Sequence, residues 1–349
     1  MKLLSHTLLA TLILVLVWSC KPDDGMGVIT ENNDPSQFEI IIQNQFVSPP
    51  SKVSVFYRVV DGVGNPVSSL IEDDFTILER GRNDTEFKLI SADEADRNIS
   101  DNKDIFRNNV ILLLDLSGSV VNNDLDALKI SSAQFVNNLL STNNSSTEIA
   151  IFWFDGADLL HELIDFTSNV DMLLEVIDSM NAGLPMDRST DLFGAILKGT
   201  AKAQDVIADN IANGFQSAAS VITFTDGTDQ AARHLKSDAF RTVEEASDQI
   251  DFYTIGLGAE IDEEVLLALG PKSALSTDNP DELSDKFQEI SDAIFNEANS
   301  FYLFEYCTPK RDGSGENGLR IEVNTALGSG AVNTIFNADG FESGNCSFF

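Results

Sequence analysis

A chain of 349 residues, 43% hydrophobic and 22% charged, has a globular balance and length enough for two domains at roughly 100–200 residues each. Its 56 acidic residues against 22 basic ones give a formal net charge of −34, which repels phosphate backbones and argues against nucleic acid as a partner. The same charge attracts divalent cations and basic surfaces, although a solvated extracellular surface is the simpler account of it.

In chain order, Lys2 precedes an apolar segment from Leu8 to Trp18 and then Ser19-Cys20. This is the layout of a secretory signal over residues 1–19, with an apolar region too short to span a bilayer. Val17-Trp18-Ser19-Cys20 resembles a bacterial lipobox, with Trp18 an unusual residue inside it. The resemblance implies that Cys20 becomes the lipidated first residue and that the partner of this end is a membrane, held by a lipid anchor. Lys21-Pro22-Asp23-Asp24 resembles the sorting sequence of Bacteroidetes-type lipoproteins, so the expected location is exported, at the outer membrane or cell surface. Residues 20–35 are polar, with Gly25, Gly27, Asn32 and Asn33, and read as a tether.

Residues 36–107 read as an all-β, Ig-like sandwich segment. Phe38 to Ile42, Val53 to Val60 and Phe75 to Leu78 are short β-branched or aromatic runs, separated by turn signals such as Asp61-Gly62 and Gly64-Asn65-Pro66. Residues 108–299 alternate apolar strands with amphipathic stretches, the signature of βαβ units around a doubly wound, mostly parallel sheet flanked by helices. Strands are predicted at Val110 to Leu114, Glu148 to Phe154, Val221 to Thr225 and Phe252 to Leu257. Helices are predicted at Leu125 to Leu140, Leu192 to Ile207, Asp238 to Gln249 and Glu282 to Asn299, with Asp124 and Thr190 placed as caps. Residues 300–349 return to strand spacing at Tyr302 to Tyr306, Leu319 to Val323 and Val332 to Phe336. These strands either complete the N-terminal sandwich, with the α/β domain inserted into it, or form a separate small β unit; the first is preferred because domain termini often lie close together.

With Cys20 assigned to lipid, Cys307 and Cys346 remain as one pair, and in an oxidising compartment their bridge would contribute roughly 4 kcal/mol. The alternative is two buried free thiols.

Three loops carry the chemistry. Asp115-Leu116-Ser117-Gly118-Ser119 follows the run from Val110 to Leu114 and brings one acid and two hydroxyls to one turn. Arg188-Ser189-Thr190-Asp191-Leu192 opens a helix, and Thr225-Asp226-Gly227-Thr228 follows the strand at Val221. In open α/β sheets ligands bind outside the carboxyl ends of the strands, where these loops gather. Hydroxyls with few carboxylates suit a hard divalent ion that keeps waters or an outside ligand. Taken singly, each loop has a plainer reading: Asp115, Ser119 and Thr190 as helix caps, and Asp226-Gly227 as a turn.

Taken together, in this order and spacing, the three loops resemble the von Willebrand factor A domain over about residues 108–299, extending to Ile255-Gly256-Leu257-Gly258 and the closing helix. The resemblance implies that Asp115, Ser117, Ser119, Thr190 and Asp226 fill the places of that family's metal-ion-dependent adhesion site. It implies Mg²⁺, or Mn²⁺ or Ca²⁺, as cofactor, and a protein ligand whose Asp or Glu completes the coordination. Asn122 and Asn123 stand where integrin β-subunit relatives carry acids, so no second regulatory ion is expected there. Asp155, Asp158 and Asp229 read as loop acids, solvated or rimming the site.

An enzyme is not expected. His161 and His234, the two histidines beyond the signal segment, read as packing or surface residues, and Ser117 has neither a Gly-x-Ser-x-Gly elbow nor an evident His partner. The expectation is a metal-dependent, adhesion-type binding module of an exported lipoprotein. Its alternative is a structural or assembly component of a surface complex, and a metal-dependent hydrolase stands third.

Overall fold

The computed structural model describes residues 34–90, 97–101, 105–140, 146–311 and 315–346. The signal segment, Cys20 and nearly all of the tether lie outside the described residues.

Five strands come first: β1 (Glu39–Ser48), β2 (Lys52–Val60), β3 (Phe75–Arg80), β4 (Lys88–Leu89) and β5 (Arg97–Asp101). The central segment then runs β6 (Phe106–Asp115), α1 (Gly118–Asn123), α2 (Leu125–Leu139), β7 (Thr147–Phe154), β8 (His161–Thr167), α3 (Val170–Ser179) and α4 (Leu192–Ala212). It continues with β9 (Gln216–Thr225), α5 (Lys236–Ala246), β10 (Ile250–Leu257), α6 (Glu263–Leu269), β11 (Ser273–Thr277) and α7 (Leu283–Ala298). Three strands close the chain: β12 (Phe301–Cys307), β13 (Glu316–Asn324) and β14 (Ser329–Asn337).

The central sheet has the order β11-β10-β9-β6-β7-β8. Every pairing in it is parallel except that of β7 with β8. Strand β6 is buried along almost its whole length, and its Val110 to Leu114 half reads as an unbroken apolar run rather than an alternating one. Successive side chains still point to opposite faces. Val110, Leu112 and Leu114 join the core that also contains Leu128, Ile177 and Phe287 of α2, α3 and α7. Ile111 and Leu113 join the core on the other face, with Ile196, Val243 and Val265 of α4, α5 and α6. Each face of the sheet is therefore closed by its own helices.

The other two sheets are antiparallel and have the orders β1-β2-β12-β5 and β14-β13-β3-β4. Both contain strands from the two ends of the chain: β2 pairs with β12, and β3 with β13. Alternate residues Val53, Val55, Tyr57 and Val59 of β2 share one core with Ile77, Phe304, Leu319 and Ile321. A disulfide joins Cys307, at the end of β12, to Cys346.

The structure corrects several sequence expectations. The antiparallel edge strand β8 and the helices α3 and α6 had no predicted counterpart, and α5 covers Lys236–Ala246 rather than 238–249. Thr190 does not cap α4: the cap is Asp191, whose Oδ1 accepts the Gly194 amide at 3.3 Å. Asp124 holds the cap position of α2 without a side-chain hydrogen bond.

Candidate metal centre

The register of the central sheet sets the site. Leu114 lies opposite Phe224, so Asp115 and Thr225 leave neighbouring strands β6 and β9 side by side at their carboxyl ends. Asp115 is completely buried. Its Oδ1 accepts the Ser117 amide at 2.7 Å, and its Oδ2 accepts the Thr225 hydroxyl at 2.7 Å. Those two bonds lock the carboxylate into one orientation and close the turn. Leu116 points into the core and is fully buried, so the residues of the turn divide between packing and polar work.

The turn then presents its hydroxyls. The Ser117 and Ser119 oxygens lie 3.4 Å apart, and the Ser119 hydroxyl lies near enough to Asp226 to favour the charged form of its carboxyl. Gly118 is needed for close approach of a neighbouring loop. A β-carbon there would fall 3.0 Å from Arg188 Cβ and 3.3 Å from the Arg188 carbonyl oxygen, which accepts the Gly118 amide at 3.0 Å. Thr190, two residues on, is buried, and its carbonyl accepts the amides of Gln230 and Ala231 at 2.9 and 3.0 Å. The second loop is thus bonded to both the first and the third. Asp115, Ser117, Ser119 and Asp226 converge, with Thr190 on the segment between them.

Asp155 positions that segment, and its role was misread in the sequence. It is fully buried rather than solvated. Its carboxylate accepts the amides of Ala157, Met186 and Asp187 at 2.8, 2.8 and 3.0 Å, and its carbonyl accepts the Asp191 amide at 2.9 Å. Gly156 allows the same contact, since a β-carbon there would collide with Ser189 Oγ and Asp187 Oδ1. Asp229 is also structural, accepting the amides of Phe193 and Ala232. Asp158 pairs with Lys198 at 2.5 Å and with His234 at 3.0 Å. Lys198 also lies 3.6 Å from the buried Asp191, so an ammonium already balances the Asp158, Asp191 and His234 group. His161 stacks on Trp153 at 3.8 Å. In the sequence Thr225 stands out only as part of its loop; its bond to Asp115 depends on strand register and has no sequence signature.

Electrostatics set the centre apart from these balanced groups. Burial, and then the nearby charge of Asp226, push the Asp115 carboxyl up to about 7. The Asp226 carboxyl is raised by its own burial, opposed by the nearby Ser119 hydroxyl, and raised further by Asp124 and Glu260. The charges acting on this pair are negative. An all-oxygen set of two carboxylates and three hydroxyls under such stress fits a hard divalent cation, which would relieve the repulsion.

Residues 110–228 match the family model for the von Willebrand factor type A domain. No curated protein matches the chain. Among solved structures the chain is similar to proximal thread matrix protein 1 from the mussel byssus with a zinc-occupied MIDAS motif, at 14% identity over 59% of this chain and 49% of that one, with a TM-score of 0.42. It is similar to a von Willebrand factor type A protein from Catenulispora acidiphila at 11% identity, over 89% of this chain and 75% of that one, with a TM-score of 0.45. The vWF domain of the type V pili tip protein Mfa5 from Porphyromonas gingivalis shares 13% identity over 54% of this chain and 95% of that one, with a TM-score of 0.42. The chain spans about half the length of the mussel protein.

Proposed function

The chain carries a von Willebrand factor type A domain, and from that premise we propose that it is a metal-dependent protein-binding module of an exported lipoprotein. In this reading a divalent cation, Mg²⁺ first, is held by Ser117, Ser119 and Thr190 directly, with Asp115 and Asp226 balancing its charge. The observation that carries the proposal is the buried Asp115 facing Asp226, beside hydroxyls and with no compensating cation among the charges that act on the pair. Few anionic protein ligands leave the metal able to accept one more oxygen, and the carboxylate of an Asp or Glu on a partner protein is the oxygen proposed.

The chain's own residues would hold and orient this centre. Thr225 and the Ser117 amide fix the Asp115 carboxylate. The Asp155 clamp holds the Thr190 loop against both neighbours. No helix among the described residues is long and apolar enough to cross a membrane; attachment is proposed through lipid on Cys20. The reading is of a binding module, not an enzyme.

Titration calorimetry with Mg²⁺ on the wild type and on Asp115→Ala tests the metal half. The wild type is expected to give a saturable isotherm and the variant none. Identical isotherms would overturn the assignment.

A further inference from the structure

Resting on that reading of the site, we propose that Arg188 is a second anchor for the same ligand. The partner segment then carries neighbouring carboxylates, one for the metal and one for the guanidinium.

Arg188 is tied to the centre by its backbone and by its stem. Its carbonyl accepts the Gly118 amide at 3.0 Å. Its Cβ and Cγ lie 3.0 and 3.4 Å from where a Gly118 β-carbon would sit, so the base of the stem packs on Gly118, the residue between Ser117 and Ser119. The residue itself is exposed.

Its charge is uncommitted in a chain with 56 acidic residues. Arg58, Arg233, Arg241 and Arg320 each pair with a carboxylate, whereas the Arg188 guanidinium makes no ion pair or hydrogen bond among the described residues. Its sequence neighbour Asp187 is engaged elsewhere, by the Ser189 amide and hydroxyl and by Arg233 at 3.3 Å. Asp115 and Asp226 do not bind it either, so it is not spent on the site's own acids. An exposed guanidinium kept free of carboxylates beside a carboxylate-seeking metal offers a planar, two-donor fork for a second acid. Elsewhere the net charge of −34 opposes acidic segments, so a preference for them must arise locally.

The test uses two dye-labelled peptides, acetyl-Gly-Asp-Asp-Asp-Gly-amide and acetyl-Gly-Asn-Asp-Asn-Gly-amide. Their binding to Mg²⁺-loaded wild type and Arg188→Gln protein is followed by anisotropy, beside Mg²⁺ calorimetry of both proteins. The wild type is expected to favour the triacid by about fivefold, the scale of an exposed charge pair. In Arg188→Gln that preference should disappear while the Mg²⁺ isotherm stays as it was. A preference that survives the substitution overturns the proposal. So does an equal weakening of both peptides, which would put Arg188 on the metal-bound carboxylate alone. Binding of either peptide that is indifferent to EDTA removes the metal-bridged reading itself, and the second anchor with it.

Discussion

At the residue scale the proposed centre depends on groups outside the proposed ligand set. The Thr225 hydroxyl donates to Asp115 Oδ2 at 2.7 Å, and both atoms are buried. Replacing Thr225 with Val keeps the β-branched shape of β9 but removes the donor, leaving Asp115 free to turn. Orienting groups of this kind typically change metal affinity by about 10–100-fold, so Thr225→Val is expected to weaken Mg²⁺ binding about tenfold, with a loss of about 1–3 kcal/mol in stability because buried Asp115 Oδ2 is left without its donor. Calorimetry beside a thermal melt checks it, and unchanged affinity would show that the Ser117 amide alone orients Asp115. Asp115, Ser117, Ser119 and Asp226 were legible in the sequence because each sits in a short motif next to an apolar strand. Thr225 was not legible as an orienting group, because its partner lies 110 positions away and meets it only through the register of β6 and β9.

At the scale of elements the strand ends hold the loops. Asp155, the residue after β7, gathers the amides of Met186 and Asp187 across 31 and 32 positions of sequence. This fixes the segment that carries Arg188 and Thr190 before α4 begins. Asp155→Ala would strand three amides, in a place where each unsatisfied buried group costs roughly 1–3 kcal/mol. Partial rehydration returns some of that, so a loss of about 3 kcal/mol in chemical denaturation is expected, with Mg²⁺ affinity falling as the Thr190 loop loosens. A variant that lost stability but kept full affinity would separate the clamp from the centre. The edge elements β8, α3 and α6 escaped the sequence reading for a related reason. β8 is half-exposed and α6 only seven residues long, so their apolar patterns are weak, whereas β6 and α7 bury enough residues to show theirs; α3 does carry a helical apolar spacing at Val170, Leu173, Leu174 and Ile177, and is missed for its shortness alone.

At the scale of the whole molecule, one buried group reports how the two ends of the chain are joined. Glu79 on β3 is fully buried. It accepts the Thr308 hydroxyl at 2.7 and 2.8 Å and the Asn317 amide at 3.1 Å, so its partners all come from the C-terminal strands and their connection. Burial pushes its carboxyl up to about 7, from 4.5, against the opposing pull of Thr308, Lys310 and Asn317. A folded value above the unfolded one means that the folded state binds the proton more tightly. Stability from this group is therefore full below pH 4.5 and is lost as pH rises towards 7, by roughly 3 kcal/mol at about 1.4 kcal/mol per unit. Glu79→Gln keeps an acceptor and supplies a neutral amide, so it is expected to be more stable than the wild type at pH 8 and to show a flatter stability curve between pH 5 and 7. Urea melts across that range check the sign; a wild type that gains stability on going from pH 5 to 7 would refute it.

The sequence alone determined the α/β centre, because a parallel strand buried on both faces must be apolar throughout and a flanking helix must be apolar on one side. It also marked the three loops, since short polar motifs at strand ends are local features. Which strands pair across such long stretches of sequence, as β2 with β12 and β3 with β13, was decided only by tertiary structure. Strand pairing depends on mutual burial, and alternating β segments carry no label for their partner. The same holds for Arg188: its residue type was plain in the sequence, but that its stem packs on Gly118 and its charge stays unpaired among the described residues is a consequence of packing.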